Sequence, residues 1–357
     1  MKNRNIIVLI AIILVVIAMI GIYMSYQNSG FNGGKITDMA GRNVALPSEI
    51  NKTYSTAGSV TILLYMLAPD KMIGWNSMNG TTKYMNSKYS SLPVLGGGEG
   101  QDGGQGTANY ETIISKGPDV VFIGHGGDND TINRVQQKFG AIPAIDVEGD
   151  NNLSNIVPSI QFMGTVLGNQ NQSDELVNFY ETVLKQVNTT VATIPDSEKK
   201  KVYYARSSDG LTTFAADSPQ TQLITICGGK SVVQAPVSSG GMAVSMEMVI
   251  EWNPDVIITS SSEFYNTVYT NSLWQSINAV KNKQVYLVPQ DPFNWFESPP
   301  GANTILGIPW TAKVLYPDKF ENLDINNLTK EFYSKFYHYN LTDAQVSNIL
   351  NSSGVGS

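Results

Sequence analysis

Apolar residues along the chain form short continuous runs that alternate with amphipathic segments. Runs such as "DVVFIG" and "DVIITS" are rich in β-branched residues, which is typical of strands buried on both faces. The segment "DTINRVQQKFG" instead repeats apolar residues at helical spacing and ends at a glycine suited to a helix C-cap. Strands that alternate with helices in this way predict an α/β fold with parallel sheets and right-handed crossovers.

One helix-to-strand unit is written twice in the chain. The stretch "YETIISKGPDVVFIG" begins at Tyr110, and "MEMVIEWNPDVIITS" begins at Met246. In both copies a glutamate is followed seven residues later by a proline, then by an aspartate and an apolar strand. Proline ends the helix before each strand. Pro-Asp-Val is also a common way to begin a strand in any α/β protein, but the matched spacing favours two lobes of one design.

The same pattern divides the chain into five regions. Strand signals stop between Asn152 and about Ile194, where two helical patterns run nearly end to end and are long enough to bridge two lobes. The predicted regions are a membrane anchor or signal segment (1–26), a flexible Gly-rich tether (27–35), an N-terminal Rossmann-like α/β lobe (36–165), an interlobe helix (166–196) and a C-terminal α/β lobe with C-terminal helices (197–357).

The N-terminus predicts where the protein resides. Lys2 and Arg4 precede an apolar run from Ile6 to Met24 that is just long enough to span hydrocarbon. No convincing cleavage site or lipid-accepting cysteine follows, so an uncleaved anchor is favoured over a secreted form, with the rest of the chain outside the cell. Nine Asn-x-Ser/Thr sequons fit that side of the membrane and indicate a glycoprotein: Asn51, Asn79, Asn129, Asn152, Asn171, Asn188, Asn327, Asn340 and Asn351.

Composition then excludes several classes of function. A net charge of -7 without a compensating basic stretch argues against nucleic acid as a partner. The single cysteine, Cys227, excludes an intramolecular disulfide framework, and two histidines cannot form a three-histidine metal site. The glycines of "GGGEGQDGG" do not open a helix, and Ile224 occupies the first glycine position of a phosphate loop before "CGGKS". The sequence therefore predicts a non-enzymatic protein without an intrinsic cofactor.

Candidate ligand-binding residues follow the predicted strands or stand in aromatic segments. His125 and Tyr265 come after the two copies of the repeated strand, at the sheet edge where α/β proteins bind ligands. A solvated or capping role for His125 remains the alternative. Phe293, Trp295 and Phe296 stand in a Pro-rich segment and are predicted either to plug a core or to line a cleft, with Trp75 as their counterpart in the other lobe.

Four segments resemble one family when taken together: "ITDMAGRNVALPSEI", "GSVTILLYMLAPDKMIGW", the two "PDV" strands and "NWFESPPGANTILGIPW". They resemble the substrate-binding proteins of iron-siderophore, haem and cobalamin ABC importers, also called class III periplasmic binding proteins, from Ile36 to about Phe320. The resemblance implies two lobes joined by a long rigid helix, with a ligand held in the cleft between them. It also implies that Glu111 and Glu247 dock on arginines of a permease dimer that works with an ATPase.

The sequence is therefore interpreted as a monomeric, membrane-anchored extracellular receptor that binds a metal chelate, with an iron-siderophore complex preferred. Corrinoid or haem is the alternative ligand, and a secreted hydrolase or adhesion module is the alternative class. Glu297 and Ser298 stand where relatives often carry an arginine before two prolines, which suggests a less acidic ligand. The predicted ligand-binding residues are Trp75, His125, Tyr204, Arg206, Tyr265, Trp295 and Phe296.

Overall fold

The computed structural model describes residues 33–77, 82–98, 106–124, 129–148, 152–237 and 240–355. Its strands are Gly34–Thr37, Asn43–Leu46, Thr53–Ser55, Val120–Ile123, Ala144–Asp146, Lys201–Ala205, Thr212–Thr213, Lys230–Ser231, Met242–Ala243, Val256–Thr259 and Val285–Leu287. Its α-helices are Gly58–Leu67, Ser87–Ser90, Tyr110–Ser115, Asn129–Phe139, Ile156–Leu167, Gln170–Val191, Gln222–Ile226, Met246–Trp252, Ser262–Thr267, Asn278–Lys281, Gly307–Leu315, Ile325–Phe336 and Asp343–Ser352.

Each lobe is built on a parallel sheet whose strands are short and buried. In the first lobe Val120–Ile123 lies between Thr53–Ser55 and Ala144–Asp146. In the second lobe the strand order is Val285–Leu287, Val256–Thr259, Lys201–Ala205 and Lys230–Ser231. Continuous β-branched runs suit strands covered by helices on both faces. The predicted α/β fold with parallel sheets in two lobes is confirmed.

The two repeat copies occupy the same place in their sheets. Asp119 Oδ2 accepts a 2.8 Å hydrogen bond from the backbone N–H of Lys52, and Asp255 Oδ2 accepts a 2.9 Å bond from that of Lys201. In return, the backbone N–H of each aspartate donates a 2.8 Å bond to the carbonyl of the same lysine. In both lobes the aspartate after the proline thus links the central strand to its neighbour. This shared role explains why both copies of the repeat carry the aspartate.

The two helical patterns predicted between Asn152 and about Ile194 form two helices with a turn between them. Ile156–Leu167 ends at Gly168, which adopts a left-handed φ of 69°, and the 22-residue helix Gln170–Val191 follows. The two helices pack side by side instead of end to end. Gly164 permits their close approach, since a Cβ there would lie 2.5 Å from Cβ of Ser173. The long helix also packs against Gly307–Leu315 of the second lobe, so it contacts both halves of the chain.

The C-terminal region does not stay within the second lobe. The segments Ala302–Ile305 and Ile325–Phe336 both pack against the first-lobe helix Gly58–Leu67. The Tyr65 hydroxyl of that helix donates a 2.5 Å hydrogen bond to the carbonyl of Tyr337. One hydrophobic core therefore runs through both lobes.

Several local predictions need adjustment. Strand Gly34–Thr37 begins inside the predicted tether and pairs with Asn43–Leu46, so the ordered fold starts before Ile36. The sequence offers Ser59 as an N-cap for the first helix, but Ala57 precedes that helix and Ser59 is buried within it. The predicted anchor at 1–26 lies outside the described residues. Within the described ranges, no helix has both the length and the apolar character needed to cross a bilayer.

Candidate functional site

A buried carboxylate stands at the carboxyl edge of the second-lobe sheet. Strand Lys201–Ala205 carries Tyr204, whose hydroxyl donates a 2.8 Å hydrogen bond to Oε1 of Glu297. The same hydroxyl oxygen lies 2.8 Å from Oγ of Ser260, which follows the neighbouring strand. Burial raises the pKa of the Glu297 carboxyl above its ordinary value, while the Tyr204 hydrogen bond and the positive charge of Arg206 oppose that rise.

Arg206 is the exposed member of this cluster. Its Nε lies 3.6 Å from Oε1 of Glu297, and its side chain is 45% exposed, against 4% for that of Glu297. The guanidinium carbon lies 5.2 Å from the centroid of the Phe214 ring, a distance at which the ring face attracts a cation. Glu297 and Phe214 therefore hold the guanidinium at the end of the strand and leave much of it open to solvent.

The first lobe meets this edge through small and polar residues. A Cβ at Gly58, the first residue of its helix, would lie 3.6 Å from Cγ of Pro299 and 3.7 Å from Nδ2 of Asn76. Asn76 is itself buried. The segment that carries Glu297 thus reaches across to the first lobe two residues later, which places the Tyr204, Arg206 and Glu297 cluster beside the junction of the lobes.

The large aromatic residues predicted from the sequence lie in the core. Trp75 is buried and donates its indole N–H to the carbonyl of Tyr89 at 2.9 Å. Its ring centroid lies 6.1 Å from that of Phe293, so the two predicted counterparts do meet. Trp295 and Phe296 are buried, and Phe296 stacks on Tyr204 at 4.9 Å. The sequence predicts that these residues either plug a core or line a cleft, and their buried positions match a plug in the core.

One of the two loop candidates, Tyr265, packs against a different hydrophobic cluster from the one that holds Tyr204 and Phe296. Tyr265 lies on the short helix Ser262–Thr267, half-buried against the second hydrophobic core of that lobe. His125 lies outside the described residues. The structure therefore brings Tyr204, Arg206 and Phe296 together, while Tyr265 stands on the helix that follows the neighbouring strand.

The helices that carry Glu111 and Glu247 have equivalent ends. The Asn109 side chain accepts a hydrogen bond from the backbone N–H of Thr112, and the Ser245 side chain accepts one from that of Met248. Both glutamates are exposed at the second position of their helix. Gly117 with φ 65° and Asn253 with φ 41° follow the helices in the left-handed conformation. The pKa of Glu247 is lowered by hydrogen bonds to its carboxylate from the backbone N–H of Glu247 and from the Ser245 hydroxyl.

One cavity lies away from the lobe junction. A cavity of about 440 Å³ opens at the turn between helices Ile156–Leu167 and Gln170–Val191, lined in part by Asp70, Tyr89, Asn169 and His338. It lies at the C-terminal end of the first-lobe helix, whereas Arg206 and Glu297 lie near that helix's N-terminal end. We place the candidate site at the junction, because the charged groups and the strand ends meet there. In the described part of the chain, no group of three or more His, Cys, Asp or Glu could hold a metal ion.

Comparison with known proteins identifies the family. Residues 55–292 match the sequence profile described as periplasmic binding protein, well over half of the chain. The chain belongs to the periplasmic binding protein family. It is an extracytoplasmic solute-binding component of an ABC importer and not an enzyme.

Relatives with assigned ligands and solved structures agree with this family. The molybdate-binding protein MolA of Haemophilus influenzae is 24% identical over 85% of this chain and 90% of its own length. The Fe(3+)-citrate-binding protein YfmC of Bacillus subtilis is 22% identical over 55% of this chain and 61% of its own. An ABC transporter solute-binding protein from Sulfurospirillum deleyianum is 30% identical, with a TM-score of 0.79, over 89% of this chain and 99% of that structure.

Sequence reasoning noticed Glu297 only as a departure from the family and missed its partners. Tyr204 and Glu297 are 93 residues apart in the chain, and no local spacing links them. The available signal was a carboxylate within an otherwise apolar, Pro-rich segment, since a buried carboxylate requires a hydrogen-bond donor or a cation nearby.

Proposed function

We propose that this solute-binding protein captures an anionic metal complex at the lobe junction and delivers it to its permease. The observation that carries the proposal is the half-exposed guanidinium of Arg206, held in place by the buried carboxylate of Glu297. A guanidinium presents several N–H donors in a fixed plane and suits carboxylate or oxyanion groups. Glu297 faces Tyr204 and Arg206, so it does not itself present a negative charge to the ligand.

The names of two relatives support this class of ligand. Molybdate and ferric citrate are both anionic metal species, although they differ in size and shape. A ferric carboxylate or siderophore chelate is the preferred ligand, because it can contact both Arg206 and the polar residues around Asn76. Corrinoid and haem remain the alternatives within the same class of importer. Trp75, Trp295 and Phe296 then support the walls of the site, and His125 and Tyr265 remain candidate contacts.

Two further parts of the proposal concern the membrane. The N-terminal segment 1–26 anchors the chain, and Glu111 and Glu247 dock on basic residues of the permease dimer. Their support is the equal placement of the two glutamates, one per lobe, each exposed on a capped helix before the central strand. The receptor works as a monomer, since one chain already supplies both glutamates.

Calorimetric titration of the purified protein tests the ligand class. Ferric citrate, a ferric siderophore, molybdate, haem and cobalamin are titrated separately, and we expect binding of at least one anionic ferric chelate. Arg206→Gln should weaken that binding by at least about tenfold, because one charge-assisted contact is lost. Lys281→Gln, which removes an exposed positive charge on another helix of the lobe, is the matched control. Binding of cobalamin alone, or binding unaffected by Arg206→Gln, would contradict the proposal.

A further inference from the structure

Each helix that carries one of the paired glutamates also exposes an isoleucine at the same position. Ile114 is 39% exposed and Ile250 is 47% exposed, and each stands three residues after its glutamate. Residues three apart on a helix are surface neighbours, with Cβ atoms about 5–6 Å apart. Glu111 and Glu247 therefore each have an exposed apolar side chain beside them.

The opposite face of both helices is fixed in the core. Ile113 and Val249, each two residues after the glutamate, are fully buried. The helices begin at side-chain caps and end at left-handed residues, as described above, and both continue into the central strand of their lobe. The two glutamate and isoleucine pairs are thus held in equivalent positions relative to the two sheets.

Chance exposure explains this arrangement poorly. Single exposed apolar residues are ordinary on protein surfaces. Of the large apolar residues that are exposed in the described part of the chain, however, three lie on these two short helices: Ile114, Met248 and Ile250. Protein interfaces combine an apolar centre with charged residues at the rim, which is the composition found here twice.

We propose that Ile114 and Ile250 are matched apolar contacts with the permease dimer, each packing into an apolar depression next to the basic residue that receives the neighbouring glutamate. The proposal rests on the docking role proposed for Glu111 and Glu247. A partner made of two equivalent subunits fits this surface, because it presents the same site twice to two equivalent patches. The glutamates then guide the approach of the two proteins, and the isoleucines slow their separation.

The two residue types should differ in kinetics. An exposed ion pair contributes mainly to the association rate and is weakened by salt, whereas burial of an apolar side chain acts mainly on the dissociation rate. Ile114→Ser and Ile250→Ser should each raise the dissociation rate by about tenfold, and the double variant by more, with an unchanged salt dependence. Glu111→Gln and Glu247→Gln should instead lower the association rate and flatten its dependence on salt.

The experiment uses the full-length protein and the permease–ATPase complex that co-purifies with it in detergent. Mass spectrometry verifies that the complex contains an ABC permease, and the complex is then reconstituted in nanodiscs. Surface plasmon resonance measures association and dissociation rates at low and high salt. Leu273→Ser is the matched control, since Leu273 is 61% exposed and lies outside the two helices. Ile114→Val and Ile250→Val should retain slow dissociation.

Each result decides between the two proposals. Fast dissociation of both serine variants, with wild-type rates for Leu273→Ser, supports the inference. If the glutamate variants lose association while both serine variants behave like Leu273→Ser, the isoleucine contacts are refuted and the docking role of the glutamates stands. If the glutamate variants also bind like the wild type, the docking surface itself is refuted. Thermal unfolding of each variant confirms that the fold is retained.

Discussion

The Tyr204 hydroxyl donates a 2.8 Å hydrogen bond to Oε1 of Glu297, whose side chain is 4% exposed. Removal of a donor to a buried carboxylate leaves an acceptor without its partner, because water cannot easily replace the hydroxyl there. Tyr204→Phe should therefore lower the free energy of unfolding by about 1–3 kcal/mol. Urea denaturation measures the change, with Tyr265→Phe, a half-buried tyrosine of the same lobe, as the control. Equal stability of the two variants would refute the importance of this bond.

Glu297 should make the protein less stable as the pH rises from mildly acidic values. Burial raises the pKa of its carboxyl in the folded state above the ordinary value of 4.5, so the folded protein binds the proton more tightly than the unfolded chain. The associated stability is fully present below pH 4.5 and is lost as the pH rises through the raised pKa. Glu297→Gln keeps an oxygen acceptor for Tyr204 and cannot ionise, so it should remove this part of the pH dependence.

Urea denaturation of the wild type and Glu297→Gln, at intervals from about pH 4 to about pH 8, measures the two slopes. The charged and titratable groups that face Glu297 are Arg206 and Tyr204. Glu263→Gln, on the exposed surface of the same lobe, serves as the control. Parallel curves for the wild type and Glu297→Gln would assign the pH dependence to another group.

His338 should make the protein less stable as the pH falls. Burial lowers the pKa of its imidazole below the ordinary value of 6.5, although the carbonyls of Tyr65 and Met66 oppose the shift. A lowered pKa gives stability that is present above pH 6.5 and is lost as the pH falls through the lowered value. His338→Asn should reduce this loss on the acidic side, because asparagine does not titrate and tolerates the positive φ of 53°.

Thermal unfolding at about pH 7.5 and about pH 5.5 measures this difference for the wild type and His338→Asn. Asp70→Asn is the companion variant, because the charge of Asp70 raises the pKa of His338. Without that charge, protonation of His338 should become harder and the acidic loss larger. The assignment to His338 fails if His338→Asn loses as much stability between the two pH values as the wild type does.

Elements with local signals were predictable from the sequence. Gly140, with a φ of 61°, ends the helix Asn129–Phe139 as the sequence indicates, and the strand Val120–Ile123 coincides with its β-branched run. The turn at Gly168 lies between the two helical patterns that the sequence indicates, but the side-by-side packing of the two helices was not predicted. Local patterns identify where helices and strands form, but they contain little information about which of them pack side by side.

The candidate site was less predictable than the fold, because its contacts are long-range. Tyr204 and Arg206 were named as ligand-binding candidates from the sequence, whereas their link to Glu297 depends on how the lobe closes. The meeting of Trp75 and Phe293 was anticipated, but an aromatic pattern alone does not distinguish a buried plug from a wall. Burial on both sides of these rings is a property of the assembled lobes.

The ring of Phe293 lies within 6.1 Å of Trp75, 5.9 Å of Tyr65 and 5.3 Å of Tyr337. To pull the halves of the protein apart would bring these rings into water, at about 1.5–3 kcal/mol for each fully exposed side chain. We therefore expect the two lobes to move little relative to each other at this seam, whether or not a ligand is bound.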